Sequence, residues 1–203
     1  MARPVLVLAS GNHHKIQEME AMLASLDLLV TPQPEGLEVE ETGSTFAENA
    51  RLKAETVARI TGCWALADDS GLAVDVLGGA PGVYSARYAQ GDEQRMARLL
   101  QELGDSPYRS AALISALALA DPSGSTVLEA EGICRGEILR QPVEAPGYGY
   151  NRLLHVREAG CTLAEMPPHQ LEKLGSRAKA LHALALDLPR ALGLNGSRRS
   201  FSG

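Results

Sequence analysis

The stretch ADDSGLAVDVLGGAPGVYSARYA, residues 67–89, carries the strongest structural signal in the chain. The apolar run 64–67 just before it predicts a short buried strand that ends at Asp68-Asp69-Ser70-Gly71. Residues 72–77 predict another short strand, and the GGAPG that follows predicts a turn. Because ligands gather at the carboxyl ends of strands in α/β sheets, the two adjacent acids mark a candidate site.

Hydrophobic spacing upstream of this stretch predicts a strand, a helix, a loop and a second helix. The predicted strand is 5–9, the helix is 15–26, and the Pro/Glu/Gly-rich loop is 31–43, with at most a short edge strand at 37–39. Thr45 followed three residues later by Glu48 is a capping-box pattern, which predicts that the second helix starts there.

Downstream of the stretch, the pattern predicts a surface helix, a long hairpin, a loop and a last helix. The helix is 92–103, the hairpin strands are 110–120 and 127–138, the loop is 142–150, and the last helix is 177–192. Alternating helices and strands followed by a hairpin predict a mixed α/β fold. The Ser/Gly/Arg-rich tail, 195–203, is expected to be flexible.

The composition limits the classes of function. A chain of 203 residues with 45% hydrophobic and 22% charged content can form one globular domain, and its net charge of −6 disfavours nucleic acid and anionic membranes as partners. Three widely spaced cysteines, Cys63, Cys134 and Cys161, support neither a disulfide framework nor a zinc site. The apolar run at 5–9 is too short for a secretory signal, so a cytoplasmic protein is expected.

The adjacent carboxylates of Asp68 and Asp69 allow two interpretations. Neighbouring carboxylates are costly unless they are solvated, paired or bound to a cation, and their oxygens suit Mg²⁺, especially Mg²⁺ carried by phosphates. The alternative is a turn in which Asp69 caps its own backbone. The two residues alone favour neither interpretation.

Two other early segments carry residues suited to phosphate and metal. The segment Ser10-Gly11-Asn12-His13-His14-Lys15 joins a strand to a helix start, where an anion is favoured. Taken alone, the segment fits an ordinary turn with both histidines at the surface better than an anion site. The pair Glu40-Glu41 precedes the capped helix, which carries Asn49 and Lys53 on one side. Acids for a metal and lysines for phosphate are the combination that nucleotide hydrolysis requires.

Late in the chain, Gly147-Tyr148-Gly149-Tyr150 places two tyrosines in a glycine-rich loop. Such a backbone can lay a ring against a nucleobase, although loop tyrosines more often cover the edge of a core. Arg177 and Lys179 open the last predicted helix, an end that is unfavourable for cations unless an anion or an electron-rich base edge is near.

Together these segments resemble the Ham1/inosine triphosphate pyrophosphatase family, whose members hydrolyse non-canonical purine nucleoside triphosphates. The resemblance spans about residues 5–192 and is carried by LASGNHHKIQE (8–18), EETGSTFAENARLKAE (40–55) and the opening stretch (67–89). It implies a homodimer, and a protomer with a central twisted mixed sheet, flanking helices and two lobes around a nucleotide cleft, in one domain over 1–194. It further implies Mg²⁺-dependent hydrolysis of ITP, dITP and XTP to the monophosphate and pyrophosphate.

The resemblance also implies roles for individual residues. The turn Ser10 to Lys15, which includes Gly11, Asn12, His13 and His14, would contact substrate together with Lys53. Glu40 and Asp69 would hold Mg²⁺, with Asp69 also accepting a proton from the attacking water, and Asp68 and Glu41 would tune the metal site. Further substrate contacts would come from Ser70, Tyr148, Gly149, Tyr150, Asn151, Ser176 and Arg177.

The chain departs from the family pattern among the residues that would contact the base. Asn151 replaces an aspartate, Arg152 a proline and Ser176 a histidine, and a late family lysine has no clear counterpart, since Leu171 lies nearest. An amide donates as well as accepts hydrogen bonds, so contacts to the base edge change. A pyrophosphatase with shifted base specificity and a weakly catalytic nucleotide-binding protein are therefore the alternatives.

Overall fold

The computed structural model of the chain describes residues 3–194. Its strands form a seven-stranded sheet in the order β2-β1-β3-β4-β5-β6-β7. The strands are β1 Val5–Ala9, β2 Leu29–Pro32, β3 Trp64–Val74, β4 Ser110–Ala120, β5 Thr126–Ile138, β6 Leu154–Val156 and β7 Cys161–Thr162. β1 is parallel to β2 and β3, whereas β6 is antiparallel to β5 and β7. The prediction of a mixed sheet is therefore confirmed.

Six α-helices accompany the strands within residues 3–194. They are α1 His13–Leu23, α2 Phe46–Thr61, α3 Asp92–Leu103, α4 Pro168–Leu174, α5 Ser176–Ala183 and α6 Asp187–Ala191. The predicted capping box of α2 is confirmed, because Thr45 Oγ1 accepts from the Glu48 N–H at 3.2 Å and Glu48 Oε2 accepts from the Thr45 N–H at 3.2 Å. Across the described residues, none of these helices is long and apolar enough to cross a membrane.

The chain divides into two compact units, with the division falling inside β3 between Asp69 and Ser70. The first unit contains the described residues up to Asp69, the segment 116–132, and the described residues from 180 onward. The second unit contains 70–115 and 133–179. That residues 1–194 form one domain stays a prediction, and the predicted flexible tail 195–203 lies outside the described residues.

In the first unit, alternate residues of β1 and β3 face different helices. Leu6, Leu8 and Leu66 belong to the same buried cluster as Met19 and Leu23 of α1. The other face carries small side chains that pack against α2, and this cluster contains Val7, Ala9, Ala50, Ala54, Val57, Ala65 and Ala67. Because alternate strand residues point to opposite faces, each side chain on β3 is assigned to one helix by its position in the strand.

In the second unit, α3 supplies Met96, Leu99 and Leu103 to a separate buried cluster. The strands contribute apolar residues to the same cluster, including Leu72, Val74, Cys134, Ile138, Leu154 and Val156. The cluster also contains Tyr150 and Leu174, which adjoin the predicted base-contacting segments. Those segments are therefore anchored in a packed interior.

Two local predictions in the first half of the chain were wrong. The strand near the predicted loop is β2, at Leu29–Pro32, where it pairs with β1, rather than an edge strand at 37–39. The predicted turn at 68–71 is extended backbone in the middle of one continuous strand, β3. Both acids within this strand have lysine partners, as described below.

Differences in the second half concern short elements. The last predicted helix, 177–192, is two helices, α5 and α6, separated near 184–186. Pro189 lies in α6, and because proline lacks a backbone N–H it removes one of the hydrogen bonds that a continuous helix would need. The short helix α4 and the strands β6 and β7 were not predicted.

Candidate active site

The two adjacent acids of β3 point to opposite faces of the strand, and each meets a lysine. Asp68 lies on the same face as Leu66, where its Oδ2 is 2.8 Å from Lys15 Nζ at the start of α1. Asp69 lies on the α2 face, where its Oδ1 is 2.9 Å from Lys53 Nζ. The interpretation of Asp69 as a turn-capping residue is therefore wrong, because β3 is extended there.

Lys53 is the centre of this cluster. Its Nζ donates hydrogen bonds to Glu41 Oε1 at 3.0 Å, to the Asp68 carbonyl oxygen at 2.8 Å and to Asp69 Oδ1 at 2.9 Å. Asn49, one turn earlier in α2, is fully buried and donates through Nδ2 to Asp69 Oδ2 at 3.3 Å. Both carboxylate oxygens of Asp69 are thus engaged, which fixes the orientation of the group.

A glycine lets the loop that carries Glu41 lie against α2. The Gly43 N–H donates to Asn49 Oδ1 at 2.8 Å. A Cβ at position 43 would lie 2.6 Å from Glu48 Cβ and 2.7 Å from Asn49 Oδ1, closer than van der Waals contact allows. Gly43 therefore keeps Asn49 in the position from which it contacts Asp69.

Burial has opposite effects on the pKa values of Lys53 and Asp69, the ion pair at the centre of the cluster. Burial lowers the pKa of Lys53, but the Asp69 and Glu41 carboxylates outweigh burial, so its pKa is raised overall and the ammonium stays charged. Burial raises the pKa of Asp69, and the attraction of Lys53 offsets only part of that effect. A carboxylate with a raised pKa is a stronger base than an ordinary aspartate, which suits a proton acceptor.

The donor set fits Mg²⁺. Glu41 Oε1 and Asp69 Oδ1 each lie within 3.0 Å of Lys53 Nζ, so two carboxylate oxygens of the kind that Mg²⁺ prefers face the same place. Among residues 3–194 no group of three or more His, Cys, Asp and Glu side chains is gathered as a metal site. Magnesium in proteins is commonly bound by one or two carboxylates together with water and substrate phosphates.

The structure places Glu41, and not Glu40, at this cluster. Glu40 is exposed, and its side chain makes no hydrogen bond or ion pair with the part of the chain that the structure describes. Glu41 and Asp69 are therefore the two carboxylates gathered around Lys53, and the expectation that Glu40 holds a metal stays a prediction.

The turn between β1 and α1 is organised by its own side chains. Asn12 is the N-cap of α1, and its Oδ1 accepts from the backbone N–H groups of His14 at 3.0 Å and Lys15 at 3.3 Å. Ser10 Oγ accepts from the Asn12 N–H at 3.1 Å. Gly11, His13 and His14 are exposed. The turn thus presents the start of α1, with Lys15 following one turn into the helix.

In the second unit, three predicted substrate residues meet. Arg177 is buried at the start of α5 and donates through Nη2 to Ser70 Oγ at 3.1 Å. Its Nη1 lies 3.4 Å from the Tyr148 hydroxyl oxygen, a long hydrogen bond. These contacts bring together residues from β3, from α5 and from the glycine-rich loop 147–150, called the tyrosine loop below.

The tyrosine loop is fixed from within the protein. The Gly149 N–H donates to Asp92 Oδ2 at 2.7 Å, and Gly149 adopts a φ of 60°, which glycine tolerates best. Tyr150 is buried, and its hydroxyl donates to the Ser85 carbonyl oxygen at 3.3 Å. Tyr150 therefore anchors the loop, whereas the half-buried Tyr148 is the ring suited to stack on a base.

The three residues that depart from the family pattern differ in their contacts within the protein. Arg152 donates through Nε to the Val143 carbonyl oxygen at 2.9 Å and forms an ion pair with Glu93, so its charge is paired within the protein. The half-buried Asn151 side chain makes no hydrogen bond with any residue in 3–194. Ser176 is buried, and its Oγ lies 2.8 Å from Ser115 Oγ.

Sequence reasoning missed several residues that shape the site. Asn49 was placed on the Lys53 side of its helix but was given no role, and Gly43, Asp92 and Ser115 were not considered. The one signal available was Ser115, a hydroxyl in the middle of the otherwise apolar strand ALISALALA.

A model of the Ham1 family matches residues 6–186. The chain belongs to the Ham1 family. A dITP/XTP pyrophosphatase of Nostoc sp. is 51% identical over 180 residues, which cover 89% of this chain and 92% of the relative. One of Synechococcus sp. is 50% identical over 192 residues, 95% of this chain and 93% of the relative. The resemblance found in the motifs is therefore confirmed.

Solved structures agree with this membership. A HAM1 protein from Coxiella burnetii has a TM-score of 0.83 at 38% identity, covering 92% of this chain and 99% of its own. The Staphylococcus aureus Ham1 protein has a TM-score of 0.82 at 34% identity, with the same coverage, 92% and 99%. The α/β fold of this Ham1 family protein is thus the fold of its solved relatives.

Proposed function

We propose that this Ham1 family protein hydrolyses the non-canonical purine nucleoside triphosphates ITP, dITP and XTP to the monophosphate and pyrophosphate. The observation that carries the proposal is the orientation of Asp69, which is held on both oxygens by Lys53 and Asn49 next to Glu41. The curated relatives named dITP/XTP pyrophosphatase support the same substrate class.

In this proposal Asp69 accepts a proton from the water that attacks the α-phosphorus. The bond between that phosphorus and the bridging oxygen to the β-phosphate breaks, and pyrophosphate leaves. Asp69 suits the role because burial raises its pKa while its two hydrogen-bonded neighbours hold the carboxylate in one orientation.

Asp69 is proposed to hold Mg²⁺ together with one of the two neighbouring glutamates: Glu41 lies at the Lys53 cluster, and Glu40 stays the prediction from the family resemblance. When bound, Mg²⁺ neutralises phosphate charge and makes a coordinated water more acidic. Lys53 lies within hydrogen-bond distance of the Glu41 and Asp69 carboxylates and carries a positive charge. Lys15 supplies a second ammonium, paired with Asp68 on the other face of β3.

The turn from Ser10 to Lys15 is proposed to bind phosphate, with Gly11, Asn12, His13 and His14 as the exposed part of the start of α1. The structure of this turn depends on Asn12, whose side chain caps the helix. Exposed backbone at a helix start favours an anion because the helix dipole is positive there.

The base is proposed to be contacted by residues of the second unit. Tyr148 offers its ring for stacking, and Arg177 and Ser70 lie together beside its hydroxyl. Asn151 offers an amide, where the family pattern has a carboxylate. Shifted base specificity is therefore the second candidate function, favoured by the unbonded side chain of Asn151 within 3–194.

The test is pyrophosphate release from ITP, XTP, GTP, ATP and dUTP with Mg²⁺, and again after chelation. We expect ITP and XTP to be the best substrates and chelation to abolish turnover. Asp69→Asn should lower kcat roughly 10²- to 10⁴-fold with the fold intact. The matched control is Asp105→Asn, a fully exposed aspartate, which should leave kcat unchanged. Turnover of no nucleotide would refute the proposed function.

We further propose a cytoplasmic homodimer of single-domain protomers that binds neither nucleic acid nor membranes. The net charge of −6 supports the absence of these polyanionic partners. Light scattering after size-exclusion chromatography should give twice the mass of 21.5 kDa, and a monomeric mass would contradict the dimer.

A further inference from the structure

Two serine hydroxyls meet in the interior of the second unit. Ser115 lies on β4 and is fully buried, and Ser176 is the first residue of α5 and is 2% exposed. Their Oγ atoms are 2.8 Å apart, although the residues are 61 positions apart in the chain. A buried hydroxyl without a partner is unfavourable, so each serine compensates the other.

The pair connects β4 to the joint between α4 and α5. Gly175 forms this joint, and a Cβ there would lie 2.6 Å from the Leu171 carbonyl oxygen, so the backbone is tightly packed. The hydroxyl of Ser176 then fixes the first residue of α5 against the sheet. Because Arg177 is the next residue, fixing Ser176 also fixes where the Arg177 side chain begins.

Arg177 is the predicted substrate residue that this joint places. Its guanidinium reaches Ser70 Oγ at 3.1 Å and lies 3.4 Å from the Tyr148 hydroxyl. A guanidinium only donates hydrogen bonds, so it favours a carbonyl oxygen on a base edge over an amino group. Hypoxanthine and xanthine carry a carbonyl at the purine carbon where adenine carries an amino group.

We propose that Ser115 and Ser176 are positioning residues that set Arg177 and thereby determine selectivity for oxopurine over aminopurine triphosphates. The inference rests on the proposed function and deepens it. Ser176 acts through Arg177 instead of contacting the nucleotide, because its hydroxyl is buried against Ser115. The family resemblance implies a substrate contact at position 176, whereas in this protein the Ser176 hydroxyl contacts Ser115.

The test compares Ser115→Ala, Ser176→Ala and the double variant with a control of equal burial. The control is Thr162→Val, because Thr162 is also fully buried in the second unit and its hydroxyl contacts Glu165 at 2.8 Å, separate from Arg177. For each variant, kcat and KM are measured with ITP and ATP, and unfolding is measured in urea.

We expect Ser115→Ala to raise KM for ITP about fivefold, with kcat within twofold, and to lower the ITP-to-ATP ratio of kcat/KM about fivefold, the effect of one lost hydrogen bond. The double variant should be no worse than either single variant, because the same contact is removed. Thr162→Val should lose stability and keep the ratio. An unchanged ratio in Ser115→Ala would overturn the inference.

Two further measurements keep the result decisive. Ser115→Cys retains a weak donor of similar size, so it replaces Ser115→Ala if that variant does not fold, with a smaller loss of ratio expected. Affinity for ITP and ATP is also measured by calorimetry. If the wild type binds ITP but turns over no nucleotide, the proposed function fails, and the ratio of the affinities for ITP and ATP still tests the role of Ser115 and Ser176. If the serine variants leave that affinity ratio unchanged, the inference is overturned.

Discussion

Replacing Lys53 by methionine should destabilise the first unit far more than replacing a surface arginine of the same helix. Lys53 Nζ contacts Glu41, Asp69 and the Asp68 carbonyl oxygen, all within 3.0 Å. Its side chain is 12% exposed and that of Asp69 is 8% exposed. Lys53→Met keeps the apolar stem and helix propensity but removes the charge between the carboxylates.

The expected cost follows from the burial of the partners that remain. Removing one partner of a buried ion pair costs about 3–5 kcal/mol, because the other charge stays buried without compensation. Glu41 retains some exposure and Asp69 can take up a proton, so we expect the lower end, about 3 kcal/mol. The loss should shrink as the pH falls, because protonated Asp69 no longer needs the lysine.

The assay is urea unfolding followed by the fluorescence of Trp64, the single tryptophan, which begins β3. The control is Arg51→Met in α2, since the pair of Arg51 with Glu129 is 41% exposed on both sides and should contribute at most about 1 kcal/mol. Lys53→Met combined with Asp69→Asn should cost less than the sum of the single variants. Equal losses for Lys53→Met and Arg51→Met would refute the reasoning.

Two other predictions concern packing and ionisation. Gly43→Ala should lower both the free energy of unfolding and kcat, because the added Cβ would displace Asn49 from Asp69. An unchanged kcat would contradict the role of Asn49 in orienting Asp69. Burial and the hydrogen bond to Glu102 raise the pKa of Tyr88 to about 12, above about 10 for an unfolded tyrosine. Between those pH values the unfolded state releases its proton first, so stability falls as pH rises. Tyr88→Phe should flatten this fall in alkaline urea titrations, whereas Tyr108→Phe, at an exposed ring, should not.

Local signals in the sequence predicted the elements whose causes are local. The capping box at Thr45 and Glu48 starts α2 where the pattern placed it, because both partners lie within four residues of each other. The two strands around the break at 121–125 were also predicted, as β4 and β5. The prediction of a turn at Asp68 and Asp69 was wrong. The charges of these two acids are paired with Lys15 and Lys53, which lie on two different helices and give no local signal near the acids.

The two adjacent glutamates before α2 illustrate a finer limit. Glu40 and Glu41 have the same chemistry and adjacent positions, so composition and spacing cannot separate them. Their contacts in the structure separate them, because Glu41 pairs with Lys53 whereas Glu40 is exposed.

The departures from the family pattern take on different weights once their contacts are known. Arg152 is paired with Glu93, and Ser176 shares a hydrogen bond with Ser115, so both substitutions are compensated inside the protein. Asn151 alone of the three has a side chain without a hydrogen bond to residues 3–194. A direct change in base recognition should therefore arise at Asn151, while Ser176 acts indirectly through Arg177. Asn151→Asp should consequently alter selectivity without a loss of stability, and Ser176→His should cost stability first, because an imidazole must displace Ser115 from a filled interior.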